Sequence, residues 1–183
     1  ASGEQLPSYF YSMLDDVDRT MQYSKAIQEC VNQVPVPNPC VVDVGVGTGL
    51  LSALVLFHHP SAIVVGVDVN EAALSASRQV MHELGFSDRF YGVLVNANMT
   101  SKSLLRTIQS KLNSTNPMPF DVMVSEILGT FVYGESMETY VSKYLPFVKT
   151  FDDKLYAVPQ KCRQYFACYE FDVPLSTKYA IEK

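Results

Sequence analysis

Along the chain, short unbroken apolar runs alternate with longer segments in which apolar residues recur every three or four positions. The runs "CVVDVG" (40–45), "AIVVGVD" (62–68), "FYGVLVN" (90–96) and "FDVMVSE" (120–126) are rich in β-branched and aromatic residues. Each reads as a strand buried on both faces, the signature of parallel pairing. The segment 13–31 spaces Leu14, Val17, Met21, Ala26, Ile27 and Cys30 on one helical face, and "PVPNP" (35–39) ends it, because proline cannot continue a helix. "GLLSALVLFHH", "NEAALSASRQVMHELG", residues 101–113 and "ESMETYVSKYLPFV" read as further helices. In the second of these, Asn70 is the N-cap, Glu71 stands in the first turn and Gly85 is the stop. "KLYAVP" (154–159) and the alternating "YFACYEFDV" (165–173) are expected to be antiparallel strands. Strand and helix alternating four times over predict an α/β fold, a largely parallel sheet with helices on both faces. Ligands of such sheets bind at the carboxyl ends of the strands.

Composition narrows the class. The chain has 183 residues, 48% hydrophobic and 18% charged, which is globular rather than disordered. A net charge of -5 argues against a direct nucleic-acid partner and suits basic substrates. No apolar run reaches the length of a bilayer crossing, so no membrane partner is expected. Cys30, Cys40, Cys162 and Cys168 form no C-x-x-C pair and read as reduced thiols of a cytoplasmic or nuclear protein, with no metal expected. His58 and His59, at a helix end, read as structural or solvated.

Candidate chemistry gathers at the strand ends. "DVGVGTG" (43–49) leaves the first strand and opens a helix, with Gly45, Gly47 and Gly49 allowing a sharp turn and close backbone approach. The dinucleotide fingerprint requires a glycine at the sixth position from Gly45, where Leu50 stands. Asp68 ends the second strand, where a carboxylate can accept both hydroxyls of a ribose or simply serve a turn. After the fourth strand, "SEILGTFVYGES" holds Glu126 and Glu135 around an apolar loop. Taken alone the pair reads first as solvated loop acids, with two carboxylates closing on one cation as the alternative. A guanidinium is the cation whose planar fork of donors such a pair would grip.

The glycine spacing with an acid ending strand two resembles motif I of the S-adenosylmethionine-dependent methyltransferases. The stretch from "VVDVGVGTGLLS" through "FDVMVSEILGTFVYGES", together with "MLDDVDRTMQYSKAI", resembles a narrower family, the protein arginine N-methyltransferases. Their two glutamates stand nine apart after the fourth strand, as Glu126 and Glu135 do. The resemblance implies a Rossmann-like class I methyltransferase fold ending in the start of a β-barrel. Residues 1–34 would be a helical segment capping the cofactor site, 35–158 the cofactor domain and 159–183 the barrel start.

It further implies S-adenosyl-L-methionine as cofactor, with S-adenosyl-L-homocysteine as product, and Glu126 and Glu135 as catalytic residues. Arg19 would pair with the cofactor's carboxylate, and Met13 would limit room around the target nitrogen. Asp43, Gly45, Gly47, Gly49 and Asp68 would form the cofactor cradle, with Met99 and Met137 lining the adenine. Thr100 stands where many members carry glutamate, Asp68 replaces a more usual glutamate, and the wording "SEILGT" leans towards the monomethylating branch. Implied substrates are arginine-containing proteins or peptides, basic and Arg/Gly-rich, such as histones or RNA-binding proteins. The implied assembly is a homodimer of the full-length enzyme. The barrel, its dimerisation arm and the Thr-His-Trp loop have no counterpart in these residues. An inactive regulatory subunit on the same scaffold and a small-molecule methyltransferase are the alternatives.

Overall fold

The computed structural model describes residues 13–96, 98–127 and 137–161, and of Met137 and Glu138 the backbone alone. Five strands form one parallel sheet in the order β3-β2-β1-β4-β7. They are β1 (Cys40–Val44), β2 (Ile63–Asp68), β3 (Phe90–Leu94), β4 (Val122–Ser125) and β7 (Ala157–Val158). A separate two-stranded antiparallel hairpin pairs β5 (Thr150–Phe151) with β6 (Lys154–Leu155).

The chain winds outwards from β1 to β3 and then returns to place β4 on β1's other side. This puts a topological switch point between β1 and β4, the usual place for a ligand crevice. Alternate residues of the strands feed two cores. Val41, Val64, Val122 and Val124 face α1 (Val17–Asn32), α2 (Leu50–His58) and α3 (Glu71–Glu83). Val42, Val65, Val67 and Met123 face α4 (Ser101–Leu112), α5 (Met137–Tyr144) and the 3₁₀ turn Leu145–Phe147.

The local signals explain most boundaries. Asn70 Oδ1 accepts from the amides of Ala72 and Ala73 at 2.8 and 3.3 Å, capping α3. The helix closes where Gly85 takes φ +76° and the Phe86 amide donates back to the Met81 carbonyl at 2.7 Å. Helix α2 is apolar nearly all round, and five of its nine residues are buried between α1 and the sheet.

Three expectations need correction. The helix expected across 13–31 is broken at Asp16: residues 13–15 are helical, and α1 starts at Val17 because the Asp16 carboxylate caps the Arg19 amide at 3.0 Å. Its apolar stripe also runs elsewhere, since Val17 and Met21 are 63% and 64% exposed while Ile27 and Val31 are buried. The inner side of the first turns carries Arg19, Thr20 and Tyr23 instead, and these line a cavity. In "KLYAVP", only Lys154–Leu155 is antiparallel; Ala157–Val158 joins the main sheet parallel to β4. "YFACYEFDV" and the expected barrel start beyond Lys161 lie outside the described residues.

Candidate functional site

Above the carboxyl ends of β1, β2 and β4 lies a cavity of about 320 Å³, within the range of small-molecule sites. One wall is α1 with Arg19, Thr20 and Tyr23, joined by Met13 from the turn before it; the floor is Val44 to Thr48; Asp68 and Asn70 stand on one flank, and Glu126 and Ile127 on another. Helix α1 is fastened to the β4 end by two contacts across the mouth. The Tyr23 hydroxyl donates to the Ser125 carbonyl at 3.3 Å, and Arg19 Nη1 lies 3.2 Å from Glu126 Oε2.

The glycine loop is held against β2, with the amides of Gly45 and Val46 both donating to the Val67 carbonyl. Gly45 has φ +76°, and an added Cβ would run into the γ2 carbon of Ile127, so glycine is required there twice over. Gly47 lines the cavity and donates its amide to Asp68 Oδ2 at 2.9 Å. Asp68 Oδ1 accepts from the Asn70 amide at 2.9 Å, so this one carboxylate fixes the loop and the start of α3 together. Its remaining lone pairs are free to face a ligand.

Gly49 and Asp43 hold different posts from those the resemblance implies. Gly49 is the N-cap of α2 at φ +90°, and an added Cβ would meet Met81 and Ser77 of α3 at 3.0 and 3.2 Å. It serves helix packing rather than lining the cavity. Asp43, 1% exposed, points from β1 towards α2, where the Ser52 hydroxyl donates to its Oδ2 at 2.6 Å. Its Oδ1 has no partner among the described residues. Burial raises the Asp43 pKa to about 7; the Ser52 hydrogen bond pulls it down and the nearby Asp68 charge pushes it up.

Other site expectations divide. Met13 lines the cavity and its carbonyl accepts from Arg19 Nη2 at 2.7 Å. Met99 is partly buried against the core on the sheet's α4 side and is not among the cavity-lining residues. Thr100 is the N-cap of α4, its Oγ1 accepting from the Ser103 amide at 3.3 Å, which gives that hydroxyl a structural post. Glu135 and the side chain of Met137 lie outside the described residues. His58 Nε2 is 2.8 Å from the Ser24 hydroxyl, tying α2 to α1. Cys30 and Cys40 are free thiols whose pKa values burial pushes up to about 11 and about 12, which keeps both protonated at neutral pH.

Sequence reasoning missed Thr20, Tyr23, Tyr140 and Tyr144. Tyr140 and Tyr144 stand one helical turn apart on α5 and both line the cavity, a spacing readable in "TYVSKY". Burial, with Asp68 and Tyr140 adding, pushes the Tyr144 hydroxyl well above the ordinary range and keeps it neutral.

A parallel sheet with this strand order, a glycine-rich turn after β1 and an acid ending β2 is the class I methyltransferase fold, whose cofactor is S-adenosyl-L-methionine. The chain belongs to the methyltransferase small domain family, which matches residues 18–125. Protein arginine N-methyltransferase 1 of Saccharomyces cerevisiae is 33% identical over 128 residues, 68% of this chain and 31% of the relative. Protein arginine N-methyltransferase 7 of Danio rerio is 25% identical over 169 residues, 91% of this chain and 23% of the relative. This chain therefore spans less than a third of the length of either curated relative. Among solved structures, the Trypanosoma brucei PRMT1 enzyme–prozyme heterotetrameric complex with AdoHcy superposes with a TM-score of 0.63. The match is 24% identical and covers 85% of this chain and 43% of that one, a likeness of fold.

The cavity fits that cofactor on its own donors. Asp68 offers a carboxylate for a pair of hydroxyls, and Arg19 offers a guanidinium for a carboxylate. Thr20 lines the same wall beside Arg19. Asp68→Ala should weaken S-adenosyl-L-homocysteine binding by roughly 1 to 3 kcal/mol, the range for charged hydrogen bonds. Calorimetry on both proteins checks it; equal affinities would remove Asp68 from the ligand.

Proposed function

We propose that this protein transfers a methyl group from S-adenosyl-L-methionine to a guanidinium nitrogen of arginine in protein substrates. The observation that carries the reading is the Glu126–Arg19 contact. On the cavity wall, at the end of β4, a half-buried carboxylate already holds a guanidinium at 3.2 Å. The chemistry that binds Arg19 is the chemistry that would bind a substrate arginine.

When bound, S-adenosyl-L-methionine supplies an electrophilic methyl on its sulfonium. The chain's own residues would do the rest by holding and orienting. Arg19 and Asp68 would fix the two ends of the cofactor. Glu126 would draw the guanidinium's positive charge towards one side, leaving the opposite terminal nitrogen more nucleophilic. Glu135, by the same resemblance, would close the grip from the other side. Met13, on the cavity wall, would restrict how many methyl groups the nitrogen accommodates. The net charge of -5 favours basic, Arg/Gly-rich segments as substrates.

Full-length protein incubated with isotope-labelled cofactor and an Arg/Gly-rich peptide should yield labelled methylarginine, read by mass spectrometry. Cofactor binding without any methylated arginine would overturn the reading and leave a small-molecule or regulatory role. The reading extends to a homodimer for the full-length enzyme. Sedimentation at micromolar concentration should give twice the protomer mass, and a monomer there would remove that part.

A further inference from the structure

We infer that Ile127 is a positioning residue whose side chain, seated on Gly45, aims the Glu126 carboxylate at the guanidinium site; this rests on the arginine reading above. The ladder between β1 and β4 ends at the Val44–Ser125 pair, one residue short of Glu126. Among the described residues no strand pairing reaches the backbone that carries the carboxylate. Two contacts flank it instead. On one side the Tyr23 hydroxyl donates to the Ser125 carbonyl at 3.3 Å. On the other, Ile127 meets the glycine loop so closely that a Cβ added to Gly45 would run into its γ2 carbon. Gly45 is itself pinned, its amide donating to the Val67 carbonyl at 2.9 Å.

Side chains of consecutive residues in an extended chain leave it on opposite sides. The contacts follow that alternation. Ile127 packs, partly buried, against the core shared with α4 and α5, whereas Glu126 turns to α1 and lies 3.2 Å from Arg19 Nη1. Seating Ile127 on Gly45 therefore decides which way Glu126 faces. Isoleucine suits the post, because branching at Cβ restricts χ1 and fixes where the γ2 methyl points. Gly45 suits it as well, since any side chain there would push Ile127 away and Glu126 with it. Both residues line the cavity, so the same contact ties the acid to the floor beneath the cofactor.

Single-turnover methylation of an Arg/Gly-rich peptide by the full-length protein, at saturating S-adenosyl-L-methionine, tests this. Ile127→Ala should lose about ten- to a hundredfold in rate, the scale of a misplaced catalytic group. Ile127→Leu keeps the size but not the γ2 methyl and should fall with it. Ile127→Val keeps that methyl and should stay within about twofold of wild type. A cycle with Glu126→Gln separates positioning from general damage. If Ile127 acts through the carboxylate, adding Ile127→Ala to Glu126→Gln should cost no more than about twofold further. A loss as large as in the wild-type background overturns the inference, because the effect would then be independent of Glu126. So does a wild-type rate in Ile127→Ala or Ile127→Leu. If Ile127→Ala does not fold, Ile127→Leu takes its place in the cycle under the same criteria. Wild-type turnover in Glu126→Gln would instead sink the catalytic reading of Glu126, and this inference with it.

Discussion

Glu126→Gln in the full-length enzyme should lose about 10²- to 10³-fold in turnover on an arginine peptide, the usual cost of removing a key electrostatic contact at a reacting group. Cofactor affinity should stay near the wild-type level. The substitution keeps the side chain's shape and removes its charge, so it isolates the electrostatic grip on the guanidinium. A neutral amide oxygen still accepts one hydrogen bond, but it no longer draws the positive charge away from the nitrogen that must attack. Arg19 is not set adrift by the change, because the Met13 carbonyl holds its Nη2 at 2.7 Å. Glu135→Gln should be comparably harmful, and the double variant less than additive, since groups that act as a unit are not independent. Single-turnover methylation, with cofactor affinity measured in parallel, separates the two effects. Wild-type rates in both single variants would remove both glutamates from the reaction.

The central sheet was legible because strands buried on both faces leave no polar alternation to misread. "CVVDV" and "IVVGVD" could hardly be anything but inner parallel strands. β7 was not legible. Two residues carry no period, and their pairing with β4 depends on a path through the 3₁₀ turn and the small hairpin that only tertiary contacts define. The glycine loop was legible as a sharp turn after β1, and Gly45 and Gly47, both at positive φ, line the cavity there. Gly49 shows the limit of a motif, because its spacing looks functional while its reason is the close approach of α3. Arg19 and Glu126 were each identified for a different guest, the cofactor's carboxylate and the substrate's guanidinium. Nothing in their positions, 107 residues apart, announced that they meet each other. Thr20 and Tyr23 were hidden for a related reason: the apolar stripe of α1 seemed to place its inner face elsewhere, and only docking against β4 turns those two residues into the cavity.

The pH dependence of folding stability should distinguish Asp43→Asn from wild type when both are measured without cofactor. Burial disfavours the Asp43 carboxylate, partly offset by the Ser52 hydroxyl and aggravated by Asp68, so its pKa rises from 3.8 in the exposed chain to about 7 in the fold. Well below pH 3.8 the group is protonated in both states and contributes nothing to the pH slope. Between those two values the unfolded chain has released the proton and the folded chain still holds it, so each rise in pH favours unfolding. The Asp43 contribution to wild-type stability should therefore fall across this window and level off above it. At about 1.4 kcal/mol per pH unit the loss reaches at most about 4 kcal/mol, with relaxation around the buried charge reducing it. Asparagine keeps the acceptor for Ser52 and cannot titrate, while its amide nitrogen, facing the position where Oδ1 has no partner, adds a constant cost of about 1 to 3 kcal/mol. The variant should thus gain on wild type by at most about 3 kcal/mol between pH 5 and pH 8. All other titrating groups are common to both proteins and, apart from the neighbouring Asp68, cancel in the difference. Urea unfolding at pH 5, 6, 7 and 8 measures that difference directly, and parallel curves would show that the Asp43 carboxylate is ionised in the fold throughout.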